Sequence, residues 1–172
     1  AGKSYAGLFE GLAIWDARDG RYRTHQGVYP VVRFTLNNLK SASYPDFISW
    51  LSDAVAEEYG RHSYLMESDR LSEVDKDAFG QLASGRADIG QLGRSLLRLT
   101  VLLQQHHGQS VVVLIDEYDA PVMAAHANGC YDEVMSFLKR WLTGALKSND
   151  ALAFAVMTGV QRISKESIFS DL

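Results

Sequence analysis

The chain has 172 residues, 47% of them hydrophobic and 22% charged, the profile of one globular domain able to hold a core without disulfides or a structural metal. A net charge of −4, evenly mixed, argues against a dedicated nucleic-acid binder, and the single cysteine, Cys130, excludes an internal disulfide and a multi-cysteine zinc site and favours a reducing compartment, the cytoplasm. No apolar run approaches the roughly 20 residues of a membrane helix, and Ala1-Gly2-Lys3-Ser4 shows neither an initiator methionine nor a signal-peptide pattern, so the chain is expected to be a fragment.

In chain order, Asp19-Gly20 is a turn signal between Ile14-Trp15 and Tyr22, and residues 12 to 24 are expected to form a small hairpin or an irregular excursion. Tyr29 to Leu36, rich in β-branched and aromatic residues, predicts a strand. Pro45 suits a first helical turn, and Ile48, Leu51, Val55 and Tyr59 recur at helical spacing up to Gly60. Residues 61 to 90 are polar and expected to be exposed, with Ser72 and Asp75 capping a short helix through Leu82. Leu92, Leu96, Leu99 and Leu103 predict one helix over 91 to 107, closed near Gly108.

Val111 to Ile115 is an uninterrupted apolar run, as expected of a strand buried on both faces of a parallel sheet, and Leu152 to Met157 has the same character. Between them Val134, Leu138, Trp141 and Ala145 predict a helix over about 131 to 147. The order helix, strand, helix, strand predicts an α/β fold with a mainly parallel sheet, whose active edge lies at the carboxyl ends of the strands, after Ile115 and Met157.

The sharpest chemical feature is Val111-Val112-Val113-Leu114-Ile115 followed by Asp116-Glu117-Tyr118-Asp119. Two adjacent carboxylates at the end of a buried strand match the Walker B pattern, in which the aspartate holds Mg²⁺ and the glutamate polarises the water that attacks a γ-phosphate. The bland alternative is that Asp116 caps the following segment, with Pro121 marking the turn, and Glu117 is merely solvated. Thr158 and Gly159 follow the second buried strand and precede Gln161 and Arg162, where a phosphate-sensing group would sit; a plain turn explains them equally well. Gly2-Lys3-Ser4 imitates the end of a P-loop but lacks the first glycine and the strand before it.

Other chemistries drop out. H-E-x-x-H, G-x-S-x-G and C-x-x-C are absent, and a loop resembling an EF-hand from Asp75 has Arg86 where calcium requires glutamate. His106 and His107 suit the negative end of a helix dipole better than a metal. Arg18, Arg21, Arg23 and His25, with Tyr22, form a small basic cluster that leaves nucleic acid as a partner without real support. A metallonuclease built from Asp116, Glu117 and Asp119 is weakened by the absence of a nearby lysine or histidine.

LFEGLAIWD (Leu8 to Asp16), YPVVRF (Tyr29 to Phe34), VVVLIDEYDAPV (Val111 to Val122) and TGVQRISKESIFSDL (Thr158 to Leu172) together resemble the bacterial AAA-ATPase-like family, often fused to a PD-(D/E)XK-type nuclease domain. The resemblance implies a three-layer P-loop NTPase-like domain spanning residues 1 to 172 in part, with its P-loop, of the form RRFGKS, lying upstream. It implies Asp116 as the Mg²⁺ ligand, Glu117 as the catalytic glutamate, and Thr158 and Arg162 as nucleotide-sensing positions, with Mg²⁺ and ATP as cofactor and ligand. Asp119 belongs to the motif without an assigned role. No lysine has an acidic residue two positions before it, so the fused nuclease chemistry is absent from these residues. The expected function is ATP hydrolysis in the parent protein, driving a conformational change in an attached effector, with the 172 residues alone inert. The rival is a non-catalytic module of the same fold that holds a protein or nucleic-acid partner.

Overall fold

A computed structural model of the chain describes residues 5–38 and 42–160. Three parallel strands, β1 (Val31–Thr35), β2 (Val111–Asp116) and β3 (Leu152–Met157), form one sheet in the order β1-β2-β3. The helices are α1 (Ala13–Asp16), α2 (Tyr44–Arg61), α3 (Glu73–Ala83), α4 (Ile89–Leu92), α5 (Ser95–His107), α6 (Ala120–Asn128) and α7 (Tyr131–Leu146).

Local chemistry sets the helix boundaries. The Ser43 hydroxyl accepts the Asp46 N–H at the start of α2, and Pro45 occupies the first turn, where a missing N–H costs nothing. Ser72 caps α3 in the same way through the Asp75 N–H. Gly108 ends α5 and Gly129 ends α6, both in the left-handed conformation that glycine adopts without strain. The predicted single helix over 91 to 107 is divided: an Asp88–Gln91 capping box builds α4, and the chain leaves helical geometry at Arg94 before α5 begins. The Leu92, Leu96, Leu99 and Leu103 stripe stays buried across the break.

Successive strands added in one direction by right-handed crossovers put their connecting helices on one face of the sheet. Burial agrees with this. Val32 and Phe34 of β1, Val111, Val113 and Ile115 of β2, and Ala155 and Met157 of β3 belong to or pack on one core with the helices. In register opposite them the other face carries Arg33, Thr35, Val112, Leu114, Phe154 and Val156. On that face Val112 is buried and Tyr29 meets Phe154 edge-on, with ring centroids 6.3 Å apart. The expectation that β3 is buried like β2 is corrected: Phe154 is 50% and Val156 46% exposed on a strand that has β2 on one side and no described strand on the other.

Of the two forms expected for residues 12 to 24, the structure has the irregular excursion, partly helical, with Arg18, Asp19 and Gly20 all at positive φ. One further expectation changes. Residues 61 to 90 are not simply exposed, since Leu65, Leu71, Phe79 and Leu82 reach the core between charged neighbours.

Trp141 of α7 lies at the centre of that core, edge-on to Phe34 with centroids 5.1 Å apart, and its indole N–H donates to Ser95 Oγ at 2.9 Å. Tyr59 of α2 donates its hydroxyl to Ser95 O at 2.8 Å, and burial holds that hydroxyl far above the ordinary tyrosine pKa, so it stays a donor. On the free side of β1 the buried Glu58 carboxylate accepts the Arg33 N–H at 2.9 Å, satisfying an edge donor that β2 cannot reach, and it also accepts from Arg61. Glu58→Ala is expected to lower stability by about 1–3 kcal/mol by orphaning that N–H, with Glu58→Gln losing less. Urea unfolding measures this, and a loss below about 0.5 kcal/mol would mean that water replaces the carboxylate.

Candidate active site at the strand ends

Thr35, Asp116 and Thr158 stand side by side at the carboxyl ends of the three strands. Thr35 is opposite Asp116 in the β1–β2 register. The Thr158 hydroxyl donates a hydrogen bond to Asp116 Oδ1. The main-chain ladder runs on past the strands: Leu36 N–H donates to Asp116 O at 2.9 Å, Thr158 N–H to Ile115 O at 2.9 Å, and Tyr118 N–H to Thr158 O at 3.1 Å. A rigid ladder thus carries an exposed carboxylate into solvent, at the place where parallel sheets gather their ligands.

Glu117 follows with φ of 54°, a left-handed conformation that costs a non-glycine residue about 1–2 kcal/mol. That turn ends the strand abruptly and leaves Glu117 half-buried beside the exposed Asp116. The reading of Asp116 as a helix cap is corrected. The following helix, α6, begins at Ala120, the residue at its N-cap position is Asp119, and Asp119 makes no side-chain cap.

Asp119 turns the other way. It is 5% exposed, and its Oδ2 accepts the Val160 N–H at 3.0 Å. A β-carbon added at Gly159 would lie 2.7 Å from Asp119 Oδ1 and 2.7 Å from the Tyr118 ring, so only glycine lets the two chain ends approach this closely. Sequence reasoning gave Asp119 no role because its partner is a main-chain N–H 41 residues away. The one available signal was a glycine directly after the last strand.

Of the predicted site residues, Asp116, Glu117 and Thr158 come together at one corner of the sheet. Arg162 lies outside the described residues, as do Gln161 and Gly2-Lys3-Ser4. The three-carboxylate nuclease arrangement is not formed, since Asp119 faces Val160, and among the described residues no group of three or more His, Cys, Asp or Glu side chains is placed to hold a metal ion by itself. One exposed carboxylate beside a hydroxyl does fit Mg²⁺ that arrives with a nucleotide, because Mg²⁺ keeps several waters and takes only one or two protein carboxylates alongside phosphate oxygens.

The basic cluster lies elsewhere, around a cavity of about 230 Å³ lined by Phe9, Ile14, Trp15, Tyr22, Arg23 and His25. Arg23 stacks over Trp15 at 4.5 Å and pairs with Asp16 at 2.8 Å, and His25 shares a hydrogen bond with Tyr29, so two of its basic groups, though exposed, are already engaged by neighbouring residues. His106 and His107 end α5 as expected and gather around the Tyr64 ring; burial and the neighbouring His106, His62 and Arg70 hold His107 below the ordinary histidine pKa. Among the described residues no helix is long and apolar enough to cross a membrane.

Comparison with known proteins adds one family and one relative. A family described as predicted AAA-ATPase, AAA-ATPase-like, matches residues 2–169. The chain is 28% identical to an uncharacterised protein encoded in the vnfD 5′ region of Azotobacter chroococcum mcd 1; the match covers 96% of this chain and 27% of that protein. The chain thus spans about a quarter of that relative's length. No solved structure gives a significant match.

Proposed function

The chain belongs to the predicted AAA-ATPase family, and from that premise we propose that it supplies the metal-binding and water-activating part of an ATP-hydrolysing site. The observation that carries this reading is the joining of Asp116 to Thr158 across two strand ends, with Glu117 next to the aspartate in a strained turn. In the proposed site Asp116 holds Mg²⁺, Glu117 orients and deprotonates the attacking water, and Thr158 keeps the Asp116 carboxylate oriented and senses the γ-phosphate together with Arg162. When bound, Mg²⁺ neutralises charge developing on the phosphate oxygens.

No G-x-x-x-x-G-K-[ST] loop occurs in the sequence, and we propose that the full-length protein delivers a phosphate-cradling loop from another segment. Among the described residues no strand pairs with the outer edge of β3, beside Thr158, and that edge would take a further strand, while the exposed Phe154 and Val156 offer apolar surface for a further layer. The three-layer P-loop architecture, an attached effector such as a nuclease-like domain, and a cytoplasmic setting belong to the same proposal.

The test is Mg²⁺-dependent ATP binding and hydrolysis by the full-length protein, by calorimetry and phosphate release. Binding and turnover are expected, with turnover falling at least about tenfold in Asp116→Asn, while the 172 residues alone turn over no ATP. Absence of ATP binding by the full-length protein would overturn the reading in favour of a non-catalytic module that holds a protein or nucleic-acid partner.

A further inference from the structure

We propose that Asp119 is a positioning residue, the latch that holds the loop of residues 158–160 against the strand end so that Thr158 keeps its grip on Asp116. The inference rests on the ATPase reading for its effect on rate, though not for the latch itself.

Asp116 and Asp119 leave the same turn and grip the same loop at alternate residues. Asp116 takes the Thr158 hydroxyl and Asp119 takes the Val160 N–H. Between them Gly159 sits flat against the Tyr118 ring and Asp119 Oδ1, where a β-carbon would collide with both. Side-chain burial does not hold this end of the loop, because Val160 is 94% exposed. The carboxylate, by contrast, is almost wholly buried and is not spent on capping α6. A desolvated carboxylate accepting a main-chain N–H makes a charge-assisted bond, stronger than a neutral one and directional enough to fix the loop. Beyond the end of β3 at Met157 the ladder bonds hold the Thr158 main chain, and past it the Asp119–Val160 bond ties down the next two residues, so that bond and the Thr158–Asp116 bond together fix the turn that carries the Thr158 hydroxyl.

The latch predicts a rate effect without a binding effect. Loss of Asp119 frees Val160 and loosens the turn after Thr158, so the Thr158 hydroxyl and the Asp116 carboxylate lose their fixed orientation, while the phosphate-cradling loop proposed to supply most of the ATP affinity is untouched.

The experiment uses the full-length protein and compares Asp119→Ala, Asp119→Asn and Gly159→Ala by amide exchange of the segment 158–160 and by steady-state ATP hydrolysis. Asp119→Ala is expected to speed exchange at Val160 about tenfold and to lower kcat at least about tenfold, with KM for ATP within about twofold of wild type. Asp119→Asn keeps an acceptor for the Val160 N–H and is expected to recover most of both. Gly159→Ala, which pushes the loop off from the other side, is expected to reproduce the alanine pattern and stands in should Asp119→Ala fail to fold. Unchanged exchange and kcat in Asp119→Ala would overturn the proposal, and so would a raised KM with kcat retained, or an asparagine variant as impaired as alanine. Wild-type protein without ATP turnover would sink the ATPase reading alone, and the exchange comparison would still uphold or overturn the latch.

Discussion

Glu117→Gln is expected to lower ATP turnover by the full-length protein at least about 100-fold while leaving ATP binding within about twofold, because a positioned general base contributes about 10²–10⁴ in rate and little to ground-state affinity. The substitution keeps the shape and length of the side chain and asks nothing new of a backbone already at φ 54°. It removes the capacity to take a proton from water and little else. Phosphate release at saturating Mg²⁺ and ATP measures the rate, and calorimetry measures binding. Turnover within about threefold of wild type would assign the water to another group and reduce Glu117 to a solvated neighbour of Asp116.

Trp141→Ala should be the most damaging core substitution. The ring is fully buried between α7, α5 and β1, it meets Phe34 edge-on, and its N–H satisfies a serine hydroxyl that is itself wholly buried. Truncation opens a cavity of several side-chain groups and orphans Ser95 Oγ, together costing about 3–5 kcal/mol. Against the roughly 5–15 kcal/mol total of an ordinary domain, that is enough to leave a large unfolded fraction. Trp141→Phe fills most of the space and isolates the hydrogen-bond part, about 1–2 kcal/mol. Denaturant unfolding followed by far-ultraviolet circular dichroism reads both, and a loss below about 1 kcal/mol for the alanine variant would show that α5 and α7 close over the gap.

These two residues also mark what could be read from the sequence and what could not. The strand ending at Asp116 was legible because five consecutive apolar residues make sense only in a sheet covered on both sides or at its centre, and two carboxylates directly after them stand out. Trp141 was legible as core from its helical spacing with Val134, Leu138 and Ala145. The break between α4 and α5 was not, because the leucine stripe stays in phase across Gly93 and Arg94 while the interruption is set by a capping box at Asp88 and Gln91. The burial of Leu65, Leu71 and Phe79 was hidden by the polar and charged residues interspersed with them, which lower the mean hydropathy of the segment. The exposed face of β3 was misread because apolar composition reports what a strand could bury, whereas the described residues leave Phe154 and Val156 about half exposed. Asp119 shows the same limit at the site: an acidic residue bound to a distant main-chain N–H leaves no spacing pattern.

An all-parallel sheet also has consequences for how the chain reaches its native state. Neither strand pair can start as a hairpin: Val31 must find Val112, and Val113 must find Ala155, each across a folded connection. The entropic cost of closing such loops falls before any ladder bond repays it, so helix condensation around α2, α5 and α7 is expected to precede sheet completion, with refolding slower than for a helical bundle of this size. During that interval Val111 to Ile115, uncharged and β-branched at every position but Leu114, waits unpaired between two future neighbours. The same segment that carries Asp116 to the site is therefore where intermolecular pairing competes with folding, and protein concentration during refolding sets how much chain is lost to it.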